Sequence, residues 1–340
     1  MAESGAILVI GPAWVGDMVM AQSLFMRLAA RSPDNPLDVM APTWTRPLLQ
    51  RMPQVRAALP MPLGHGQVRL GERWRLGRGL RNQYARAIVL PNSLKSALIP
   101  FAARIPRRTG FVGEWRYGLL NDARKLDPHA LPKTVLRFLH LADAPGAPPP
   151  EDIPRPALRV SKASVAEALD THGLRIADGP ILALCPGAEY GPAKRWPAAH
   201  FAAVARHHLQ LGGQVWLFGS AQDCLVTADI IEQVGAASER CRDLAGKTTL
   251  GQAIDLLSVA DQVISNDSGL MHVAAALDRP LVALYGSSDP VFTPPLHERA
   301  EILRLGLACS PCFRRECPLG HTDCLRRLRP DAVIARLVHG

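Results

Sequence analysis

Four stretches of this 340-residue chain combine residue types that could do chemistry. The first is Gly11-Pro12-Ala13-Trp14-Val15-Gly16-Asp17-Met18. Its glycines have the spacing of a phosphate loop, but Asp17 stands where such a loop carries lysine and would repel a phosphate. Two readings of Asp17 remain. Presented at the head of a helix after a glycine turn, its carboxylate could accept a proton from a substrate hydroxyl. Aspartate is also a strong helix cap, and Met20, three residues on, leaves no reciprocal capping box.

The second stretch, Pro186 to Pro197, is a glycine- and proline-rich turn carrying Glu189, Lys194 and Arg195. Only six of the 39 basic residues are lysine. A lysine in such a turn is a candidate phosphate ligand, and the alternative is a solvated surface residue. In the third, Ser265 to Leu277, Asp267 and Ser268 precede a helix whose first amides could bind an anion. His272 lies one turn into it, as a ligand contact or as a core histidine. The fourth is Cys309-x2-Cys312-x4-Cys317-x3-His321-x2-Cys324, which meets the ligand count of a structural zinc site without the paired knuckle spacing. Reduced thiols packing a loop fit it equally. Gly246-Lys247-Thr248 mimics the end of a nucleotide loop, but Cys241 occupies the position of the first glycine. Thr248 or Thr249 is instead expected to cap a helix running to Leu257.

Short apolar runs position these stretches. Ile7–Ile10, Leu37–Met40 and Ala87–Leu90 are each followed by a helical pattern: Asp17–Leu28, Thr43–Arg51 and Ser93–Ala103. The alternation restarts with strands at Ile181–Leu184, Val215–Phe218, Val263–Ser265 and Leu281–Tyr285, and helices at Ala198–Leu211, Gln222–Val234 and Gly269–Leu277. Strands alternating with helices predict parallel α/β sheets covered on both faces. Between the two series, residues 143–156 hold six prolines in fourteen positions, a composition that supports neither helix nor central strand. The expected division is 1–150, 151–330 and a C-terminal helix over 331–340, with a cleft between two α/β domains and ligands at the carboxyl ends of the strands.

Apolar residues make up 48% and charged residues 20%, which excludes a disordered or fibrous chain. No apolar run reaches the roughly 18 to 20 residues of a membrane-spanning helix. The opening residues lack the features of a secretory leader, and the crowded, odd-numbered cysteines fit a reducing compartment, so a cytoplasmic location is expected. Net charge is +9 and is unevenly spread: residues 1–150 hold 20 Lys and Arg against 9 Asp and Glu, and residues 151–340 hold 19 against 21. A one-sided basic half implies an acidic partner, whether nucleic acid, an anionic membrane surface or a phosphorylated substrate. The low aromatic content of 5% and the lack of an RNA-binding signature weigh against nucleic acid. Asn92, Lys95, Arg107 and Arg108, on or after the third strand–helix unit, are the expected acceptor contacts.

The segments ILVIGPAWVGDMVMAQSL, DVMAP, LPNSLKSALIPF, IPRRTGF, RYGLLND, CPGAEYGPAKRWP, DLAGKTTL and SNDSGLMHVAAAL, in unbroken order over nearly the whole chain, resemble the ADP-heptose:lipopolysaccharide heptosyltransferases of glycosyltransferase family 9. The type II members are the most similar. The resemblance implies a GT-B fold of two facing Rossmann-like domains. It also implies inverting transfer of heptose from ADP-heptose to the heptosyl-Kdo2-lipid A inner core, at the cytoplasmic face of the inner membrane. No cofactor would be needed for catalysis, and a structural zinc at Cys309, Cys312, Cys317 and Cys324 is the one metal expectation. The family's base falls on Asp17, its phosphate-binding lysine on Lys194, and its donor-binding segment on Asp267, Ser268 and Gly269, with His272 following. Glu189 and Tyr190 stand where type I members carry threonines, which favours type II and places Glu189 among the expected donor contacts. The competing readings are a type I or III heptosyltransferase, a nucleotide-sugar epimerase on the same plan and, outside enzymes, a basic nucleic-acid-binding protein.

Overall fold

A computed structural model describes residues 5–63 and 68–338. The chain forms two compact units, Met1–Pro156 and Ala157–Gly340. The boundary lies six residues beyond the expected one. The reason is visible at Ser23, whose hydroxyl donates to the Pro154 carbonyl at 2.7 Å and ties the proline-rich segment onto the first unit.

In the first unit β1 (Ile7–Ile10) leads to α1 (Val15–Arg31), then β2 (Leu37–Pro42), α2 (Arg46–Leu49) and β3 (Ala57–Met61). The chain continues through α3 (Leu70–Gly79), β4 (Arg86–Val89), α4 (Leu94–Ala102), β5 (Arg107–Phe111), β6 (Asp122–Arg124) and α5 (Thr134–His140). The six strands are parallel in the order β3-β2-β1-β4-β5-β6. Helices α1 and α5 pack together, as do α3 and α4. Strands covered in this way read as continuous apolar runs, as ILVI does in β1. Asp38 interrupts β2 and is buried, so its charge needs partners. It accepts two bonds from Arg56, at 2.9 and 2.6 Å, and one from the Tyr84 hydroxyl at 2.7 Å.

The second unit repeats the plan. After α6 (Lys162–Thr171) come β7 (Ile181–Cys185), α7 (Ala198–Gln210), β8 (Gln214–Leu217), α8 (Cys224–Val234) and β9 (Cys241–Asp243). Then follow α9 (Leu250–Leu257), β10 (Gln262–Asn266), α10 (Gly269–Ala276), β11 (Leu281–Leu284) and β12 (Ala300–Leu303). The parallel order is β12-β11-β10-β7-β8-β9, the same winding as the first sheet. Thr249 caps α9 in a reciprocal box with Gln252. Two short helices, α11 (Asp323–Arg326) and α12 (Pro330–Ile334), close the chain. The helix expected over 331–340 is thus one short turn ending at Ile334. It belongs to the second unit, because Leu328, Val333 and Leu337 sit in the same core as Trp196, Phe201 and Leu217.

Both sheets reverse their strand order at one place: between β1 and β4 in the first, and between β7 and β10 in the second. In doubly wound sheets ligands bind outside the carboxyl ends of the strands at such a point.

Candidate functional site

The loops that leave β1 and β4 flank the first reversal. Gly11 follows β1 where a Cβ would lie 2.7 Å from the Met18 methyl and 3.1 Å from Val39, so a larger residue would have to displace the Met18 side chain of α1. Trp14 is the N-cap residue of α1, with no side-chain cap bond. Asp17 is the third helical residue, half-buried, and the cap reading does not hold. A carboxylate in the first turn is stabilised as an anion by the helix dipole. Asp17 thus stands in the first turn of α1, at the carboxyl edge of the sheet, where a proton acceptor would be placed.

On the other side of the reversal, β4 passes into Pro91-Asn92-Ser93 and α4. Ser93 makes no side-chain cap bond, and the Leu94 amide is taken instead by the Glu114 carboxylate at 2.8 Å. Beneath lies Arg116, fully buried. Its guanidinium donates to the carbonyls of Phe111 (2.6 Å) and Pro91 (2.6 Å), to Ser96 Oγ (3.1 Å) and to Asn92 Oδ1 (3.3 Å). Burial lowers its pKa to about 10. Arg116 therefore joins the loops after β4 and β5 and fixes Asn92. Lys95 follows in the first turn of α4, half-buried.

Arg107 and Arg108 are not part of this edge. They begin β5, and Arg107 is in register with Arg86, the first residue of β4, at the opposite end of the sheet from Asp17 and Asn92. Arg107 pairs with Asp122 at 3.2 Å. Arg108 donates to the carbonyls of Leu119 (2.7 Å) and Ile105 (2.6 Å) and lies over the Phe101 ring. The structure thus does not bring these two expected acceptor contacts together with Asn92 and Lys95.

In the second unit the loop from β7 is shaped from both ends by one side chain. The buried Asn266 donates to the Pro186 carbonyl at 2.7 Å and accepts from the Trp196 amide at 3.1 Å. Between these points Pro192–Lys194 make a single 3₁₀ turn. This turn brings Lys194 Nζ to 2.5 Å from the Asp267 carboxylate. Asp267 is buried and immediately precedes Ser268, the N-cap residue of α10. Ser268 makes no side-chain cap bond, its hydroxyl lying 3.2 Å from Ser265 Oγ, so the leading amides of α10, from Gly269 onward, have no side-chain acceptor. A cation beside uncapped helix amides is an arrangement for a phosphate group.

His272 sits in the next turn, buried, with its pKa lowered to about 4 by burial; the Lys194 charge adds to the effect and Asp267 opposes it. It is a neutral imidazole. Glu189 stands exposed on the loop, one residue before Tyr190.

Three features here are not legible in the sequence. Lys194 Nζ and Arg315 Cζ each lie 5.2 Å from the Tyr190 ring centroid. The Tyr190 hydroxyl donates to the Phe313 carbonyl (2.9 Å), and the Ala193 amide to that of Arg315 (3.0 Å). The cysteine-bearing segment thus braces the lysine loop, a contact across more than a hundred residues. At the end of β11, the buried hydroxyls of Ser287 and Ser288 have no hydrogen-bond partner.

The four thiols of Cys309, Cys312, Cys317 and Cys324 line one cavity of about 20 Å³ together with His321 and Ser287. Backbone amides, that of Thr322 first, lower the pKa of Cys317, whereas burial, followed by the three other thiols, raises that of Cys324. The thiols are all free. Among the described residues no group of three or more Cys, His, Asp or Glu could hold a metal ion. The expected zinc ligands are gathered but not arranged as a ligand set.

Residues 73–323 match glycosyltransferase family 9 (heptosyltransferase). The chain is 50% identical to the lipopolysaccharide heptosyltransferase 2 of Salmonella typhimurium, and 49% identical to that of Escherichia coli, over 97% of each chain in both cases. The structure of E. coli ADP-heptose lipopolysaccharide heptosyltransferase II superposes with a TM-score of 0.88 at 46% identity, again covering 97% of both chains. With the site residues on the reversal points of two Rossmann-like sheets and this end-to-end similarity, the chain belongs to glycosyltransferase family 9, the heptosyltransferases.

Proposed function

We propose that this protein is a type II heptosyltransferase, an inverting enzyme that moves L-glycero-D-manno-heptose from ADP-heptose to the heptosyl-Kdo2-lipid A inner core of lipopolysaccharide. The observation that carries the reading is the Lys194–Asp267 pair set beside the uncapped start of α10. Departure of ADP places charge on its terminal phosphate. A fixed cation and helix amides stabilise that charge as it develops. His272, being neutral, offers this site a hydrogen bond and no charge.

Asp17 takes the proton of the acceptor hydroxyl as its oxygen bonds to the anomeric carbon and the carbon–phosphate oxygen bond breaks. One displacement with one base inverts the anomeric centre. These groups are side chains and backbone amides, and the thiols at 309–324 have no step. No helix among the described residues is long and apolar enough to cross a membrane. In this reading the enzyme meets its lipid-borne acceptor at the cytoplasmic surface of the inner membrane.

Incubation with ADP-heptose and truncated inner-core acceptors, followed by mass measurement, tests the reading. One heptose should be added to the acceptor that already carries one. Addition only to the heptose-free Kdo2 acceptor would make the enzyme type I, and conversion of donor without acceptor would make it an epimerase.

A further inference from the structure

The loop after β5 has a construction that the transfer reaction does not require. Glu114 and Trp115 are consecutive non-glycine residues in the left-handed region, at φ 45° and 56°. L-residues seldom adopt that conformation, and for a bulky side chain it is a true outlier. It is held from three sides. The Glu114 carboxylate caps Leu94, the Arg116 guanidinium beneath is committed to the Phe111 and Pro91 carbonyls, and a Cβ on Gly113 would lie 2.7 Å from the Asn92 carbonyl. The product is a Trp115 side chain that is 88% exposed, the most exposed large apolar residue of the described chain. Tyr117, 65% exposed, follows two residues on, and Leu94, 37% exposed, begins the helix that Glu114 caps. A backbone held in a rare conformation points to a function for what it displays.

We propose that this tip is a membrane anchor, seated by Trp115, Tyr117 and Leu94 in the headgroup region of an anionic bilayer. Tryptophan and tyrosine favour that region because their rings are apolar at one end and polar at the other. The polar groups beside Trp115 are already used within the protein, the carboxylate of Glu114 by Leu94 and the guanidinium of Arg116 by carbonyls. The exposed tip is carried by the Trp115 and Tyr117 rings, with one oxygen of the exposed Glu114 carboxylate turned back to the Leu94 amide, a surface suited to lipid headgroups. The basic excess of residues 1–150, 20 against 9, supplies attraction to anionic headgroups. The tip leaves the same carboxyl edge that carries Asp17, two strands away in the order β1-β4-β5. The inference rests on the lipid-borne acceptor for its purpose but not for its test.

The test uses vesicles of phosphatidylglycerol and phosphatidylethanolamine without acceptor, and a deacylated, soluble inner-core acceptor in a separate assay. The intact enzyme should co-sediment with the vesicles, and Trp115→Ala should weaken its partition by roughly tenfold, as loss of a large buried apolar surface implies. Trp115→Phe should retain most binding and remove the part of the tryptophan fluorescence that brominated lipid quenches. Turnover of the soluble acceptor by Trp115→Ala should be unchanged. Equal partition of wild type and Trp115→Ala, or no partition of the wild type, would overturn the proposal. Loss of turnover on the soluble acceptor would instead assign Trp115 to carbohydrate binding and also overturn it. Normal vesicle binding without heptosyl transfer would leave the anchor standing and refute the proposed reaction.

Discussion

Acidification should weaken this protein through His272 in particular. The imidazole is buried in α10, and its pKa falls from the ordinary 6.5 to about 4. In the unfolded chain the same group takes up its proton near 6.5. Between those two values the unfolded state binds more protons than the native state, so stability falls as pH falls. The contribution is fully present above about 6.5 and fully lost below about 4. A shift of this size corresponds to about 3 kcal/mol at most, of which about 2 kcal/mol should be lost between pH 7.5 and pH 5. Carboxylates titrate in the same range, so the informative quantity is a difference. His272→Gln keeps a polar side chain without a titrating proton, and its unfolding by urea should lose about 2 kcal/mol less than the wild type over that interval. Imidazole nitrogen shifts give a direct check: the resonance missing from His272→Gln should remain that of a neutral ring at pH 5.5. Half-protonation near pH 6.5, or identical pH slopes for the two proteins, would refute the argument and with it the neutral role of His272.

Other outcomes follow from the two edges. Asp17→Asn should lower kcat about a hundredfold or more while ADP affinity, measured by calorimetry, stays within a factor of two; near-normal turnover would leave Asp17 as a first-turn anion only. Lys194→Ala should weaken ADP binding by roughly ten- to a hundredfold, and Lys194→Arg should recover little of it, because a guanidinium fork replaces a compact ammonium next to Asp267. Unchanged calorimetric affinity in Lys194→Ala would place the phosphate elsewhere. Gly191→Ala sets a Cβ 2.4 Å from the Arg315 carbonyl at φ 158°. It should cost about 1–3 kcal/mol in thermal denaturation and reduce ADP affinity by displacing the lysine loop; a variant with wild-type Tm would show that the brace is slack.

The sequence shows the fold most clearly where strands are buried on both faces. ILVI and ILALC are continuous apolar runs suited to a covered parallel sheet, and LDVMAP is one broken only by the buried, paired Asp38. The strands it hides are short or polar. RRTGF in β5 opens with two arginines, and CRD in β9 and AEIL in β12 run along sheet edges where polar side chains are tolerated. A count of charge likewise does not tell which end of a strand Arg107 and Arg108 occupy, and they lie at the end opposite Asn92. The site was legible wherever it is local, as with the Asp267–Gly269 turn into a helix. Its long-range half was not. Neither periodicity nor composition pairs Tyr190 with Phe313 or sets Arg116 under Asn92, since those contacts arise only after strands distant in sequence have become neighbours.

The two hydrogen bonds of Asn266, one to the Pro186 carbonyl and one from the Trp196 amide, have a further meaning for how such enzymes can diverge. Its two ends being fastened by a neighbouring strand, the intervening stretch behaves as an interchangeable cassette. Its interior is free to change only together with the Phe313 to Arg315 stretch that braces Tyr190 and Ala193, since Asn266 secures the ends alone. A single asparagine would thus separate inheritance of the frame from innovation in substrate choice. Exchanging residues 187–195 together with residues 313–315 between relatives while keeping Asn266 is the natural way to transplant donor preference from one family member to another.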